Sequence, residues 1–141
     1  LWQPVLRDAK IVLHFEPHDV EGAVMFGAEA LVETIITNCL TNSVSAFEQS
    51  GARTTNRQVR LRAIAEGNTI AIEIEDNGPG IAMDIVDIWL PGKTTRPEGT
   101  GFGLTIAKDS ALDLGGTYAA SNLPDGGAKF RFVFPLIATN T

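Results

Sequence analysis

Cysteine and tyrosine each occur once in the 141 residues, and histidine only twice. The lone Cys39 excludes an internal disulfide and suits a reducing compartment. Basic residues are scarce as well, eleven Lys and Arg against seventeen Asp and Glu, for a formal net charge of -6. Without a basic footprint, nucleic acid is a poor candidate for the main partner. No apolar run approaches the roughly 20 residues needed to cross a bilayer, and the opening LWQPVLRDAK lacks a signal-peptide pattern. Internal repeats, low-complexity tracts and interdomain linkers are missing too. What is present is ordinary for a globular chain, with 44% hydrophobic and 20% charged residues. The length suits one domain, residues 1–141 with a core over about 10–135, large enough to bury a proper interior. The chain starts with Leu and not Met, and is read as a piece excised from a longer, multidomain protein.

The pattern of apolar residues predicts the elements. KIVLHFEP, residues 10–17, alternates Ile11, Leu13 and Phe15 as a strand. FGAEALVETIITNCLTNSVSAFEQSG reads as a long helix, with Val32, Ile36, Leu40, Val44 and Phe47 forming its stripe and Gly51 its stop. QVRLRAIAEG and TIAIEIED are two strands with Gly67-Asn68 as the turn of a hairpin. GIAMDIVDIW is expected to form a short helix, and residues 93–101 a mobile loop. A second long helix runs from Leu104 to Leu114 and closes at Gly115-Gly116. GTYAASN and AKFRFVFP are the last two strands. Helices interleaved with strands in this order predict an α/β two-layer sandwich, a mixed and mainly antiparallel sheet with its helices on one face.

Three stretches carry candidate chemistry. The first, TTRPEGTGFGLTIAK, sets Gly99, Gly101 and Gly103 before a helix, and helix-start N–H groups favour anions. The stretch is not a P-loop: the adjoining PGKTT carries the tail of that pattern, Gly92-Lys93-Thr94, but a glycine is needed five residues before Gly92, where Asp87 stands. Nor is it a dinucleotide fingerprint, because Ile106 occupies the third glycine position and no strand precedes it. The second, EIEDNGPGI, puts Asp76 on the same strand face as Ile70, Ile72 and Ile74. A carboxylate there must be hydrogen-bonded, because desolvating it alone is expensive. Asp-Asn-Gly is also good turn chemistry, but that leaves Pro79-Gly80 unexplained. An aspartate accepting from an amino group, with glycines admitting a flat ring, describes an adenine pocket. The third, TNCLTNS, places Asn38 and Asn42 on one side of the long helix. Carboxamide oxygens suit Mg²⁺, which usually keeps several waters and takes substrate phosphates, although exposed helix asparagines are also common. His14 points away from the Leu13 face and His18 falls in a loop, neither with a partner pattern.

Taken in order, TNCLTNS, DNGPGI and GTGFGL resemble the N box and the two glycine boxes of the ATP-binding catalytic domain of sensor histidine kinases. That domain belongs to the wider GHKL ATPase group with gyrase, Hsp90 and MutL. IWLPGKTTRPEG is similar to the stretch where many members carry an aromatic, a proline and Thr-Thr-Lys.

The resemblance spans nearly the whole chain and implies the GHKL fold with ATP and Mg²⁺ as ligands. By position it assigns Asn42 to the Mg²⁺ that bridges the phosphates, with Asn38 in support where gyrase-type members have a catalytic Glu. It assigns Asp76 to the adenine amino group and Gly78, Gly80 and Ile81 to the walls of that pocket. Gly99, Thr100, Gly101, Phe102, Gly103 and Leu104 then hold the phosphates, and Lys93, Thr94, Thr95 and Arg96 lie in a lid near the γ-phosphate. Two positions depart from the pattern: Ser45 stands where many members have Lys, and Gly92 and Lys93 replace typical lid aromatics. Phosphate charge then falls more on Lys93 and Arg96. The resemblance further implies a cytoplasmic, catalytic half-enzyme of a homodimeric parent that can be anchored in the inner membrane. Its partners would be the parent's dimerisation domain, which carries the acceptor histidine, and a response regulator downstream. A nucleotide-binding regulatory module without transfer activity and an anti-sigma-type serine kinase are the alternatives.

Overall fold

Every second residue of TIAIEIE is isoleucine or alanine-flanked isoleucine, so one side of that strand has to be covered. The computed structural model describes residues 7, 10–18, 23–24, 29–50, 56–92, 103–135 and 138–139, and it covers that side with two helices. In chain order the elements are β1 (Ile11–His18), β2 (Ala23–Val24), α1 (Glu29–Ser50), β3 (Arg57–Glu66) and β4 (Thr69–Asp76). A single 3-10 turn (Asp87–Trp89) follows, then α2 (Gly103–Asp113), β5 (Thr117–Asn122), β6 (Ala128–Pro135) and β7 (Ala138–Thr139). Five strands make one sheet in the order β1-β3-β4-β6-β5, while β2 pairs with β7 separately. β1 and β3 run parallel, as strands joined through a helical crossover do, and the remaining neighbours in the sheet are antiparallel. The expected mixed, mainly antiparallel two-layer sandwich is the observed one. No helix among the described residues is long and apolar enough to cross a membrane.

The core lies between the sheet and the helices. Ile70, Ile72 and Ile74 of β4 join Phe130, Phe132 and Phe134 of β6, with Ala107 and Ala111 of α2 closing the cluster. Each large side chain so buried contributes about 1.5–3 kcal/mol relative to exposure. On α1 the fully buried line is Ile35, Cys39, Ser43 and Phe47, with Leu40 beside it. The expected stripe is met at Leu40 and Phe47, while Ile36 and Val44 pack only partly buried and the innermost line shifts to Ile35, Cys39 and Ser43. Cys39 and Ser43 account for the shift, since a reduced cysteine packs as a small hydrophobe and Ser43 finds a partner described below. Burial pushes the Cys39 thiol far above its ordinary pKa, so it is inert.

Two local expectations change. GIAMDIVDIW yields only the one turn at Asp87–Trp89, which ends where Leu90, preceding Pro91, takes an extended conformation (φ -82°, ψ 143°). The backbone of His18 closes β1 in register with Ile64 and is not in a loop.

The other face of the sheet is a ladder of charges. Glu16, Arg62, Glu73 and Arg131 stand in register across four strands. Arg62 reaches Glu16 at 3.0 Å and Glu73 at 3.3 Å, and Glu73 also meets Arg131 at 3.0 Å and Lys129 at 3.4 Å. Glu73 is only 5% exposed beneath these long side chains. Burial alone would raise its pKa, but Lys129 and Arg131 more than offset that and hold it below the usual carboxylate range.

Candidate functional site

β4 ends on Asp76, and its parity turns the carboxylate inward, 4% exposed. Oδ1 accepts from the N–H of Gly78 at 3.0 Å and of Ala128 at 3.3 Å, and Oδ2 accepts from the Ser43 hydroxyl at 2.9 Å. Burial pushes this carboxyl above its ordinary range, only partly countered by those three donors. The turn chemistry belongs to the next residue. Asn77 accepts from Gln58 N–H at 2.7 Å, donates to Asn56 O, and anchors the loop to the start of β3.

Backbone crowds around Asp76, and glycine makes that possible at two places. Gly127 has φ 104°, and a Cβ there would run into the Asp76 carbonyl oxygen. Gly80 has φ 84°, and a Cβ there would stand 2.9 Å from Asn122 Oδ1. Asn122 in turn grips Ile81 from both sides, accepting from its N–H at 2.6 Å and donating to its carbonyl at 3.1 Å. The loop carrying Gly78, Gly80 and Ile81 is thus pinned to β3 at one end and to the end of β5 at the other.

Gly103 opens α2 directly against α1: a Cβ on it would stand 3.3 Å from Asn38 Oδ1. The Asn38 amide N–H is spent on Thr34 O at 2.8 Å, so its oxygen is the group turned to the helix start. Leu104 packs partly buried against the core. Thr105, in the first turn of α2, donates to Trp89 O at 2.9 Å. Trp89 is itself wedged edge-on against Tyr118, Phe130 and Phe132, with ring centroids at 4.9, 6.2 and 6.2 Å. Both flanks of residues 93–102 are therefore tied to one another. Lys93, Thr94, Thr95, Arg96, Gly99, Thr100, Gly101 and Phe102 themselves lie outside the described residues.

α1 links these parts. Asn38 meets the start of α2 and Ser43 meets Asp76, five residues or about 7.5 Å of helix rise further on. Asn42, half-buried, lies between them on the Asn38 side. A buried hydrogen-bond acceptor and a glycine-led helix start are thus both held against α1. Among the described residues, no three of His, Cys, Asp and Glu gather as a metal site. A carboxamide next to a glycine-led helix start would suit an ion that takes most of its ligands from phosphate and water.

The family described as histidine kinase-, DNA gyrase B- and HSP90-like ATPase matches residues 27–138. The chain belongs to it. Similar members of this ATPase family are sensor proteins. The C4-dicarboxylate transport sensor protein DctB of Rhizobium meliloti is 36% identical over 109 residues, which is 75% of this chain and 17% of that protein. The sensor histidine kinase ZraS of Escherichia coli O157:H7 is 30% identical over 141 residues, 97% of this chain and 29% of that one. The chain thus spans less than a third of either relative. Among solved structures, the nucleotide-free catalytic domain of histidine kinase ThkA superimposes with a TM-score of 0.78 at 23% identity, covering 95% of this chain and 84% of that one. Full-length ShkA in complex with AMPPNP matches with a TM-score of 0.78 at 24% identity, over 99% of this chain and 28% of that one. These likenesses establish the fold, that of the histidine kinase-type ATPase.

Sequence reasoning passed over Ser43, Asn122 and Gly127. Ser43 had a signal, a polar residue spaced four from Cys39 and from Phe47 on the buried line of α1. The other two come from the distant β5–β6 turn and had none.

Proposed function

We propose that this chain is the ATP-binding catalytic domain of a two-component sensor histidine kinase. It binds Mg-ATP and passes the γ-phosphoryl group to a histidine on a separate dimerisation domain of the parent protein. The observation that carries the reading is that α1 holds both features, Asp76, a buried acceptor, through Ser43 and the glycine-led start of α2 against Asn38. Asp76 accepts the exocyclic amino group of adenine, and Gly78, Gly80 and Ile81 line the ring. Gly103 and Leu104 present helix-start N–H groups to phosphate, continuing the cradle of Gly99, Thr100, Gly101 and Phe102.

Asn42, supported by Asn38, would hold a magnesium ion, which would supply charge neutralisation to the phosphates. Lys93 and Arg96, with Thr94 and Thr95, would supply charge and hydrogen bonds to the γ-phosphate, since position 45 is Ser and not Lys. Phosphoryl transfer asks little more of a protein than position and charge. The bond from the γ-phosphorus to the bridging oxygen breaks, one to an imidazole nitrogen forms, and ADP leaves. His14 does not serve as acceptor in this scheme, being exposed on β1 in register with Arg60. The domain is the cytoplasmic part of a longer, homodimeric parent that signals to a response regulator.

The test is to mix the 141-residue chain with the dimerisation segment encoded beside it and γ-labelled ATP. Acid-labile label on that segment is the expected result. Acid-stable label would point to a serine kinase, and ATP binding without any label to a regulatory module.

A further inference from the structure

An ionised carboxylate offers about four acceptor positions. In Asp76, Oδ1 fills two with Gly78 N–H and Ala128 N–H, and Oδ2 fills one with the Ser43 hydroxyl. The fourth has no partner among the described residues. We propose that Ser43 is a specificity-setting positioning residue: by donating to Oδ2 it locks the carboxylate so that a single acceptor position faces a 6-amino purine. The proposal rests on the reading of Asp76 as the base acceptor.

Ser43 is fully buried on α1 and its hydroxyl is turned to Asp76. Having given its proton to Asp76, it cannot donate to a ligand carbonyl. Among the described residues, the cations nearest this end of the sheet are engaged elsewhere. Arg57 of β3 lies over the Phe47 ring at 5.8 Å and pairs with Glu48 of α1 at 3.8 Å. Lys129 of β6 pairs with Glu73 and Glu75, and Arg131 with Glu73, on the far side of the sheet. Without the Ser43 hydroxyl, Oδ2 keeps no protein donor, and a desolvated carboxylate so exposed to cost moves toward its neutral form. Neutral Asp76 carries an O–H at the point where the ionised group accepts. It then tolerates a carbonyl at purine position 6, and base selection becomes sensitive to pH.

Ser43→Ala tests this in the 141-residue chain, with Mg complexes of ATP, inosine triphosphate (6-oxo) and purine riboside triphosphate (6-unsubstituted). Each is titrated calorimetrically at about pH 6 and about pH 8, and because the phosphates titrate alike in all three, affinity ratios isolate the base. The wild-type chain should prefer ATP at both pH values. Ser43→Ala should bind ATP about 5- to 10-fold more weakly, with an ATP-to-inosine ratio that narrows further at the lower pH. If circular dichroism finds Ser43→Ala unfolded, Ser43→Cys, close in volume and a poor donor, takes its place with the same expectation. Wild-type ratios at both pH values in the folded variant would overturn the role of Ser43 alone. A wild-type chain that binds ATP and purine riboside triphosphate equally would overturn the base reading of Asp76 beneath it.

Discussion

Gly103 at the head of α2 rests against Asn38 of α1, close enough that a Cβ would stand 3.3 Å from Asn38 Oδ1. This contact sets the distance between the two helices where phosphates would enter, so it can be disturbed without touching the core. Gly103→Val should displace the Asn38 carboxamide and weaken ATP binding at least about tenfold. Thermal melting should change little, since position 103 is a helix end outside the buried cluster. Calorimetry and a melting curve on the same sample check both halves. Unaltered affinity would mean that phosphate does not approach this helix start.

Asp76 carries a trade between stability and binding. Its folded-state pKa is raised, chiefly by burial. Such a carboxyl binds its proton more tightly folded than unfolded, so its stabilising contribution exists at acid pH and disappears as pH rises through the folded pKa. At neutral pH the ionised side chain is therefore a net burden on the nucleotide-free fold. Asp76→Asn, which keeps an oxygen for Gly78 and Ala128 and lets Ser43 accept, should melt at or above the wild-type temperature at about pH 7. ATP binding should fall sharply in the same variant. Melting curves between about pH 4 and pH 8 should show its advantage shrinking toward acid.

Glu73 has the opposite sign. Its pKa is lowered in the fold, because Lys129 and Arg131 outweigh its desolvation. Its contribution is present above the unfolded carboxylate range and is lost as pH falls through the folded pKa. Glu73→Gln should cost about 1–3 kcal/mol in urea unfolding at neutral pH, a value discounted for the partial exposure of its cationic partners. The loss should fade toward about pH 3. ATP affinity should hold, as the charge ladder lies on the face away from the helices. A variant as stable as wild type at neutral pH would reduce the ladder to a solvated surface.

Asn122 pins Ile81 by both its N–H and its carbonyl. Asn122→Ala releases two backbone groups at the edge of the site and should raise the ATP dissociation constant roughly 3- to 10-fold. Hydrogen exchange at residues 78–82 should speed up in the nucleotide-free chain. Affinity and exchange that both match wild type would remove the clamp from the binding account.

Strand periodicity made the sheet legible. Ile70, Ile72 and Ile74 fixed the inner face of β4 and with it the inward aim of Asp76, an inference that needed only the two-residue repeat. The long helices were legible from their own repeat, although on α1 only Leu40 and Phe47 of the expected stripe are buried, because Cys39 and Ser43 do not announce themselves as core. The short helix expected over GIAMDIVDIW shrank to the one turn at Asp87–Trp89, and only its end, at Leu90 before Pro91, follows a local rule. Ala128, Gly127 and Asn122 could not be read at all. They reach Asp76 and Ile81 from over 40 residues away in sequence, and only the pairing of β4 with β6 and of β6 with β5 brings them there.

The most direct measurement is a calorimetric titration of Mg-ATP and Mg-GTP into the wild-type 141-residue chain. Guanine sets a carbonyl where adenine has an amino group, so acceptor would meet acceptor at Asp76, an unsatisfied contact worth roughly 1–3 kcal/mol. The account predicts that ATP binds about 5- to 150-fold more tightly than GTP. Equal affinity for the two nucleotides, or no binding of ATP, would contradict it.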